Sequence, residues 1–143
     1  MAPAMLVPAM IVVAAALVDA QGRVLLQQRP VQSEHGGLWE FPGGKLEPGE
    51  GPLAALGREL REELAISVAP EALIPLGFAA SEAGRAVVLL LYGCRQWSGT
   101  PVSQEGASCR WVDPDQIAQL PMPPLDVPLA ALARQFAAGL PTA

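Results

Sequence analysis

Three glutamates in the middle of the chain have a spacing that could hold a metal ion. Glu59, Glu62 and Glu63 are related as i, i+3 and i+4, and a helix that turns by about 100° per residue places all three on one face. Mg²⁺ and Mn²⁺ prefer oxygen ligands, and Mg²⁺ is usually held by one or two carboxylates together with substrate phosphates. The spacing therefore indicates a site for a hard divalent metal. The alternative is an exposed acidic face whose charges pair with neighbouring arginines.

The residues around these glutamates predict a glycine-rich turn that leads into a helix. Gly43 and Gly44 allow other groups to approach the backbone closely because they have no side chain. Pro52 suits the first turn of a helix, where its missing N–H would have no intrahelical partner. A separate apolar stripe consists of Leu53, Leu56, Leu60 and Leu64. We therefore predict a helix that buries its leucines and presents its carboxylates at the edge of the core.

This stretch resembles the Nudix box, Gly-x5-Glu-x7-Arg-Glu-U-x-Glu-Glu-x-Gly-U, in which U is a bulky aliphatic residue. The matching residues are Gly44, Glu50, Arg58, Glu59, Glu62 and Glu63. One position departs from the pattern, because Ala65 stands where the box has its last glycine. Either this alanine ends the helix in the left-handed conformation, at a cost of about 1 kcal/mol, or the helix ends in another way. We therefore expect slightly lower stability and no loss of metal ligands.

The resemblance extends beyond the box to most of residues 10–135 and is closest to MutT-type enzymes. The segments that carry it are residues 28–30, 37–45, 97–101, 105–106 and 111. It implies hydrolysis of a nucleoside triphosphate to the monophosphate and pyrophosphate, with Mg²⁺ as cofactor and Mn²⁺ as an alternative. The favoured substrate is an oxidised nucleotide such as 8-oxo-dGTP, which the enzyme would remove from the nucleotide pool. The alternatives are a CTP or dCTP pyrophosphohydrolase and, less favoured, a nucleotide-binding module without catalysis.

The resemblance also implies roles for individual residues. The implied metal ligands are the Gly43 carbonyl and the carboxylates of Glu59, Glu62, Glu63 and Glu105. The four glutamates are also the candidate catalytic residues, with Glu59 as one possible base. Glu105 occupies the place of the family's remote carboxylate, and its alternative is a simple loop glutamate. Residues of the box with an implied structural role are Gly44, Glu50 and Arg58.

Five further residues are candidates for substrate binding. Arg29 and Lys45 could meet phosphate or nucleotide, or could be solvated cations. Leu38 and Phe41 could line a base pocket, or could belong to the core. Asp126 lies in a proline-rich segment that resembles the base-reading segment of MutT-type enzymes, and its alternative is an N-cap of the last helix. An ionised Asp126 would accept a hydrogen bond from the cytosine amine or from the N7–H of 8-oxoguanine.

Composition excludes several other classes of protein. The 143 residues carry a formal net charge of −5, with a pI near 4.8, which argues against binding a nucleic acid polymer. Cys94, Cys109 and the single histidine, His35, do not have the spacing of a zinc site. Residues 1–18 are apolar enough to consider a membrane span, but their prolines and the following turn favour a strand. We expect a cytoplasmic protein with reduced cysteines, no membrane partner, and a monomeric or homodimeric state.

The remaining pattern predicts strands around one central helix. A hairpin is predicted from strands 10–18 and 23–29, and a second hairpin from strands 72–80 and 85–97. Residues 110–112 form a short strand, Asp113 opens a short helix, and residues 129–138 form a final helix that Pro141 ends. The proline-rich residues 121–128 fit neither a helix nor a strand. We expect one domain over residues 1–143 of the α+β class, and the resemblance implies an α/β/α sandwich with a mixed β-sheet.

Overall fold

The computed structural model describes residues 8–104 and 108–139. The strands in this part of the chain are β1 (Met10–Leu17), β2 (Val24–Gln28), β3 (Trp39–Glu40), β4 (Gly43–Lys45), β5 (Ile74–Ser81), β6 (Val87–Cys94) and β7 (Cys109–Val112). The α-helices are α1 (Pro52–Leu64), α2 (Pro114–Ile117) and α3 (Ala130–Ala137). Short 3₁₀ helices cover Pro70–Ala72 and Val127–Leu129.

The strands form two sheets. The four-stranded sheet has the order β4-β1-β6-β5, and the three-stranded sheet has the order β3-β2-β7. Strand β1 is parallel to β6 and antiparallel to β4, so the larger sheet is mixed, as predicted. Strands β5 and β6 form the predicted second hairpin, with an irregularity between Pro75 and Gly77.

Strand β1 is buried on both faces, which explains its apolar sequence. Val13, Ala15 and Leu17 belong to the cluster that contains the leucines of α1. The alternate residues Ala14 and Ala16 belong to the cluster that contains α3. Helices therefore cover opposite faces of the mixed sheet, and the predicted α/β/α sandwich is confirmed.

The predicted first hairpin is wrong in its extent. Only the bridge between Val18 and Val24 joins the two strands, after which β1 and β2 enter different sheets. The tight turn itself is present, because the Asp19 carboxylate accepts hydrogen bonds from the backbone N–H groups of Gln21 and Arg23. Farther along β1, residues 12–14 pair with β4 and residues 10–17 pair with β6, so the hairpin could not extend over the whole strand.

Helix α1 begins at Pro52, as predicted, and takes the first of the two outcomes expected at Ala65. Ala65 adopts the left-handed conformation, with φ 58° and ψ 35°, and its N–H donates to the Arg61 carbonyl. Leu56, Leu60 and Leu64 are fully buried. Leu53 is 37% exposed. The buried residue in the first part of the helix is Ala55 instead. The predicted stripe is therefore correct for three of its four leucines.

The C-terminal elements lie close to their predicted positions. Helix α3 (Ala130–Ala137) falls within the predicted range, and a 3₁₀ turn, Val127–Leu129, precedes it. That 3₁₀ turn begins inside the proline-rich residues 121–128, where neither a helix nor a strand was expected. Pro141 lies outside the described residues. None of the helices in the described ranges has the length and apolarity needed to span a bilayer.

Candidate active site

Arg58 connects the helix that carries the acids to the loop before it. Its Nε lies 2.8 Å from Glu50 Oε2 and its Nη2 lies 2.9 Å from Glu50 Oε1, which makes a bidentate pair. Its Nη1 also donates to Glu59 (2.9 Å) and Glu62 (3.3 Å), and Nη2 reaches the Lys45 carbonyl at 3.0 Å. These contacts raise the pKa of Arg58, chiefly through the hydrogen bond to Glu50. The same hydrogen bond lowers the pKa of Glu50 to about 2.

Two glycines of β4 set the distances on which this site depends. A Cβ built on Gly43 would lie 1.9 Å from the Val13 carbonyl oxygen, so only glycine permits this approach of β4 to β1. A Cβ built on Gly44 would lie 2.3 Å from the carboxyl carbon of Glu59. Gly44 therefore leaves the space that the Glu59 carboxylate occupies.

The Glu63 carboxylate contacts Gly43, the residue before Gly44. Its Oε2 accepts hydrogen bonds from Gln27 Nε2 at 2.7 Å and from the Gly43 backbone N–H at 3.3 Å. Gln27, on β2, was not singled out from the sequence. Gln27 is only 8% exposed, and a buried amide requires a hydrogen-bond partner. The signal in the sequence is its position two residues after Leu25, which places it on the same face of β2 as that apolar residue.

The three acids of α1 do not converge on a single point in this structure. Glu59 and Glu63 lie beside consecutive residues of β4, whereas the Glu62 side chain is 57% exposed and reaches back to Arg58. Within residues 8–104 and 108–139, no three His, Cys, Asp or Glu side chains are grouped closely enough to hold a metal. The donor set nevertheless fits a hard cation, because it consists of carboxylate oxygens beside a glycine backbone that leaves room for them.

Glu105 lies outside the described residues. The segment before it runs past the C-terminal end of α1, where the Val102 N–H donates to the Leu64 carbonyl at 3.0 Å and the Gln104 N–H donates to the Glu63 carbonyl at 2.9 Å. These bonds satisfy carbonyl groups that a helix end would otherwise leave without partners.

A cleft of about 360 Å³ extends from this site along β1 and β4. Its wall includes Arg29, Glu40, Phe41, Gly43, Gly44, Lys45, Glu63 and Asp126. A second cavity of about 460 Å³ shares Arg29 and Asp126 with it and adds His35 and Arg85. Leu38 is partly buried and lines neither cavity. The cleft thus brings four of the five predicted substrate-binding residues together with Glu63.

Asp126 is a buried residue in the wall that the cleft shares with the second cavity. It is 5% exposed, and its Oδ2 accepts a hydrogen bond from the Phe41 N–H at 3.1 Å. Burial raises the pKa of Asp126 to about 7, against the lowering effect of the Phe41 hydrogen bond. The side chain makes no capping hydrogen bond; the backbone carbonyl accepts from Leu129 instead. Asp126 therefore does not act as a side-chain N-cap.

Arg29 and Glu40 form an ion pair next to Asp126. Arg29 Nη1 lies 3.1 Å from both carboxylate oxygens of Glu40, and Arg29 Nε donates to the Glu34 carbonyl at 2.7 Å. Burial raises the pKa of Glu40, and Arg29 opposes that effect. The charge on Glu40 in turn adds to the raised pKa of Asp126. Asp126 therefore has a second carboxyl group and one guanidinium close to it in the wall of the cleft.

Comparisons with known proteins agree with this fold and site. A family model described as the NUDIX domain matches residues 8–133. The chain is 42% identical over 123 residues to a CTP pyrophosphohydrolase of Escherichia coli (strain K12), covering 84% of this chain and 88% of the relative. It is 38% identical over 99 residues to an 8-oxo-dGTP diphosphatase of Proteus vulgaris, covering 69% and 87%. The solved solution structure of the E. coli ORF135 protein matches with a TM-score of 0.80 at 37% identity and covers 94% of each chain.

The fold, the acidic helix and these relatives define a hydrolase that acts on nucleotides. The chain belongs to the Nudix family, which confirms the resemblance seen in the sequence. Nudix hydrolases generally use divalent metal cations.

Proposed function

We propose that the chain hydrolyses a nucleoside triphosphate to the monophosphate and pyrophosphate, using Mg²⁺ or, as an alternative, Mn²⁺. The observation that carries this proposal is that one cleft is lined by Glu63 and Gly43 and also by the buried Asp126. Carboxylates can hold a triphosphate only through a divalent cation that lies between the negative groups. A nucleobase is bound by a few polar groups in a largely apolar pocket. The activities named for the two relatives described above support the same reaction.

The candidate residues divide the chemical tasks between them. The groups that would hold the metal are the carboxylates of Glu59, Glu62, Glu63 and Glu105 and the carbonyl of Gly43. When bound, the metal neutralises charge on the phosphates and lowers the pKa of the attacking water. Glu59 is one candidate for the base that accepts the proton of that water, because its carboxylate lies beside the open backbone of Gly44. Arg58 and Glu50 keep the loop and the helix together while this happens.

The two cations of the cleft have different surroundings. Lys45 is exposed and lines the cleft, so its ammonium group is available to contact a phosphate. The charge on Arg29 is already paired with Glu40. We therefore infer that Lys45 contacts a phosphate of the substrate. Arg29 orients Glu40, which lies near Asp126 where the nucleobase would bind.

The raised pKa of Asp126 affects which nucleobase the protein can recognise. At neutral pH the carboxyl group is divided between its ionised form, which only accepts hydrogen bonds, and its protonated form, which also donates one. The ionised form suits the amine of cytosine and also the N7–H of 8-oxoguanine, whereas guanine has only an acceptor at N7. We place a cytosine nucleotide first, because the relative named CTP pyrophosphohydrolase matches more of the chain at higher identity. The second candidate is 8-oxo-dGTP.

The test is a comparison of products and rates over a panel of nucleotides. The protein is incubated with Mg²⁺ and CTP, dCTP, dGTP or 8-oxo-dGTP, and the products are separated by chromatography. The proposal predicts monophosphate and pyrophosphate, with kcat/KM for dCTP and 8-oxo-dGTP well above that for dGTP. Orthophosphate as the only phosphate product, or full turnover in excess EDTA, would contradict it.

A further inference from the structure

Gln27 is a polar residue in a strand whose other inward positions are apolar. Leu25, two residues earlier, packs into the cluster that holds the leucines of α1. Because residues i and i+2 of a strand lie on the same face, Gln27 also faces α1. It is 8% exposed, and placing an amide in such a position is costly unless the amide is hydrogen-bonded.

The hydrogen bond that Gln27 makes is to one of the candidate metal ligands. Its Nε2 lies 2.7 Å from Glu63 Oε2, and the Gly43 N–H reaches the same oxygen at 3.3 Å. Two donors from different strands therefore restrict the rotation of one carboxylate oxygen. Glu59 and Glu62 contact the guanidinium of Arg58. Gln27 is a neutral donor, so its own hydrogen bond adds no positive charge that would compete with a cation.

We propose that Gln27 is a positioning residue that holds the Glu63 carboxylate in the orientation in which it binds the divalent metal. This inference rests on the proposed function, because it assumes that Glu63 is a ligand. Groups that hydrogen-bond to metal ligands typically change metal affinity or activity by about 10- to 100-fold when they are removed. The cause is that an unrestrained ligand must be ordered each time the metal binds.

The variant that tests this role is Gln27→Met, which has a similar shape and no N–H donor. The matched control is Gln28→Met, because Gln28 lies on the opposite face of β2 and donates to the Gly37 carbonyl at 3.0 Å. The dissociation constant for Mn²⁺ is measured on the protein without nucleotide by electron paramagnetic resonance. We expect it to rise by about 10- to 100-fold in Gln27→Met and to stay within about two-fold of the unsubstituted protein in Gln28→Met.

A second measurement separates positioning from a merely structural role. The rate is recorded as a function of Mg²⁺ concentration at saturating nucleotide. Positioning predicts that Gln27→Met needs a higher Mg²⁺ concentration for half-maximal rate and recovers most of its kcat at high Mg²⁺. If Gln27→Met does not fold, as judged by circular dichroism, Gln27→Asn serves instead, because its amide is one methylene too short to reach Glu63.

Two results would overturn the inference, and a third would overturn the proposed function instead. An unchanged Mn²⁺ dissociation constant in the folded variant excludes positioning by Gln27. A kcat that falls at every Mg²⁺ concentration, with the half-saturating concentration unchanged, assigns Gln27 a structural role only. The third result is that the unsubstituted protein binds no Mn²⁺, or that its Mn²⁺ dissociation constant is the same in Glu62→Gln. In either case the assignment of the metal site to α1 fails, and with it the basis for a role of Gln27.

Discussion

The raised pKa of Asp126 predicts a dependence of stability on pH that a single substitution removes. The carboxyl group has an ordinary pKa of 3.8, and burial raises it to about 7 in the folded protein. The folded protein therefore binds this proton more tightly than the unfolded chain does. The contribution of Asp126 is most favourable below about pH 4, and it is lost as the pH rises to about 7. Over the whole range the difference corresponds to about 4 kcal/mol as an upper bound.

Asp126→Asn should abolish this dependence while keeping the local hydrogen bond. The amide oxygen of asparagine can accept from the Phe41 N–H, as the carboxylate oxygen does at 3.1 Å. Between pH 5 and pH 8 the free energy of unfolding of Asp126→Asn, relative to the unsubstituted protein, should rise by about 2–3 kcal/mol. The assay is urea denaturation at several pH values, followed by circular dichroism.

The matched control for this experiment is Asp115→Asn. The Asp115 side chain is 96% exposed and makes only a long ion pair, at 3.8 Å, with Arg134, so we expect a change below about 0.5 kcal/mol at every pH. If the difference between Asp126→Asn and the unsubstituted protein is the same at pH 5 and pH 8, the Asp126 carboxyl does not have a raised pKa. The argument from its burial would then be refuted.

Four further substitutions test the loop and the helix. Gly44→Ala should fold but lose activity, because its new Cβ displaces the Glu59 carboxylate; Gly43→Ala should instead unfold at lower urea, since its Cβ meets backbone. Ala65→Gly should raise the free energy of unfolding by about 1 kcal/mol with unchanged kcat/KM, because glycine adopts the left-handed conformation without strain. Glu50→Gln should flatten the loss of stability between about pH 4.5 and pH 2, since the lowered pKa of Glu50 stabilises the fold only while the carboxylate is ionised. Acid denaturation monitored by circular dichroism checks the last prediction, and an unchanged acid limb would contradict it.

The features that the sequence predicts well are those determined by neighbours along the chain. The spacing of Glu59, Glu62 and Glu63 indicates their shared helix, and the resemblance to the Nudix box gives Ala65 as the place where that helix ends. The apolar run of residues 10–18 predicts a buried strand because its composition suits burial on both faces. Helix ends, strands and the two-faced packing of β1 therefore follow from local pattern.

The features that the sequence does not predict depend on which distant segments meet. The first hairpin stops at Val24, and β1 instead pairs with β4 and β6 from other parts of the chain. Gln27 acquires its role only when α1 packs over β2 and brings Glu63 within 2.7 Å. The pKa of Asp126 likewise depends on its burial beside Phe41 and Glu40, which are about 85 residues away in the chain.

The most direct test of the central claim, that the acidic face of α1 is the metal site of a nucleotide pyrophosphohydrolase, is the substitution Glu62→Gln. The Glu62 side chain is 57% exposed and contacts Arg58 at 3.3 Å, so the substitution removes a charge without opening the core. kcat in Mg²⁺ and the thermal unfolding of the metal-free protein in EDTA are measured on the same preparations. The account predicts that kcat falls by on the order of 10² or more, while the melting temperature in EDTA stays the same or rises slightly as repulsion between the acids is relieved. A melting temperature in EDTA that falls in parallel with kcat would show that Glu62 is a structural partner and would contradict the account.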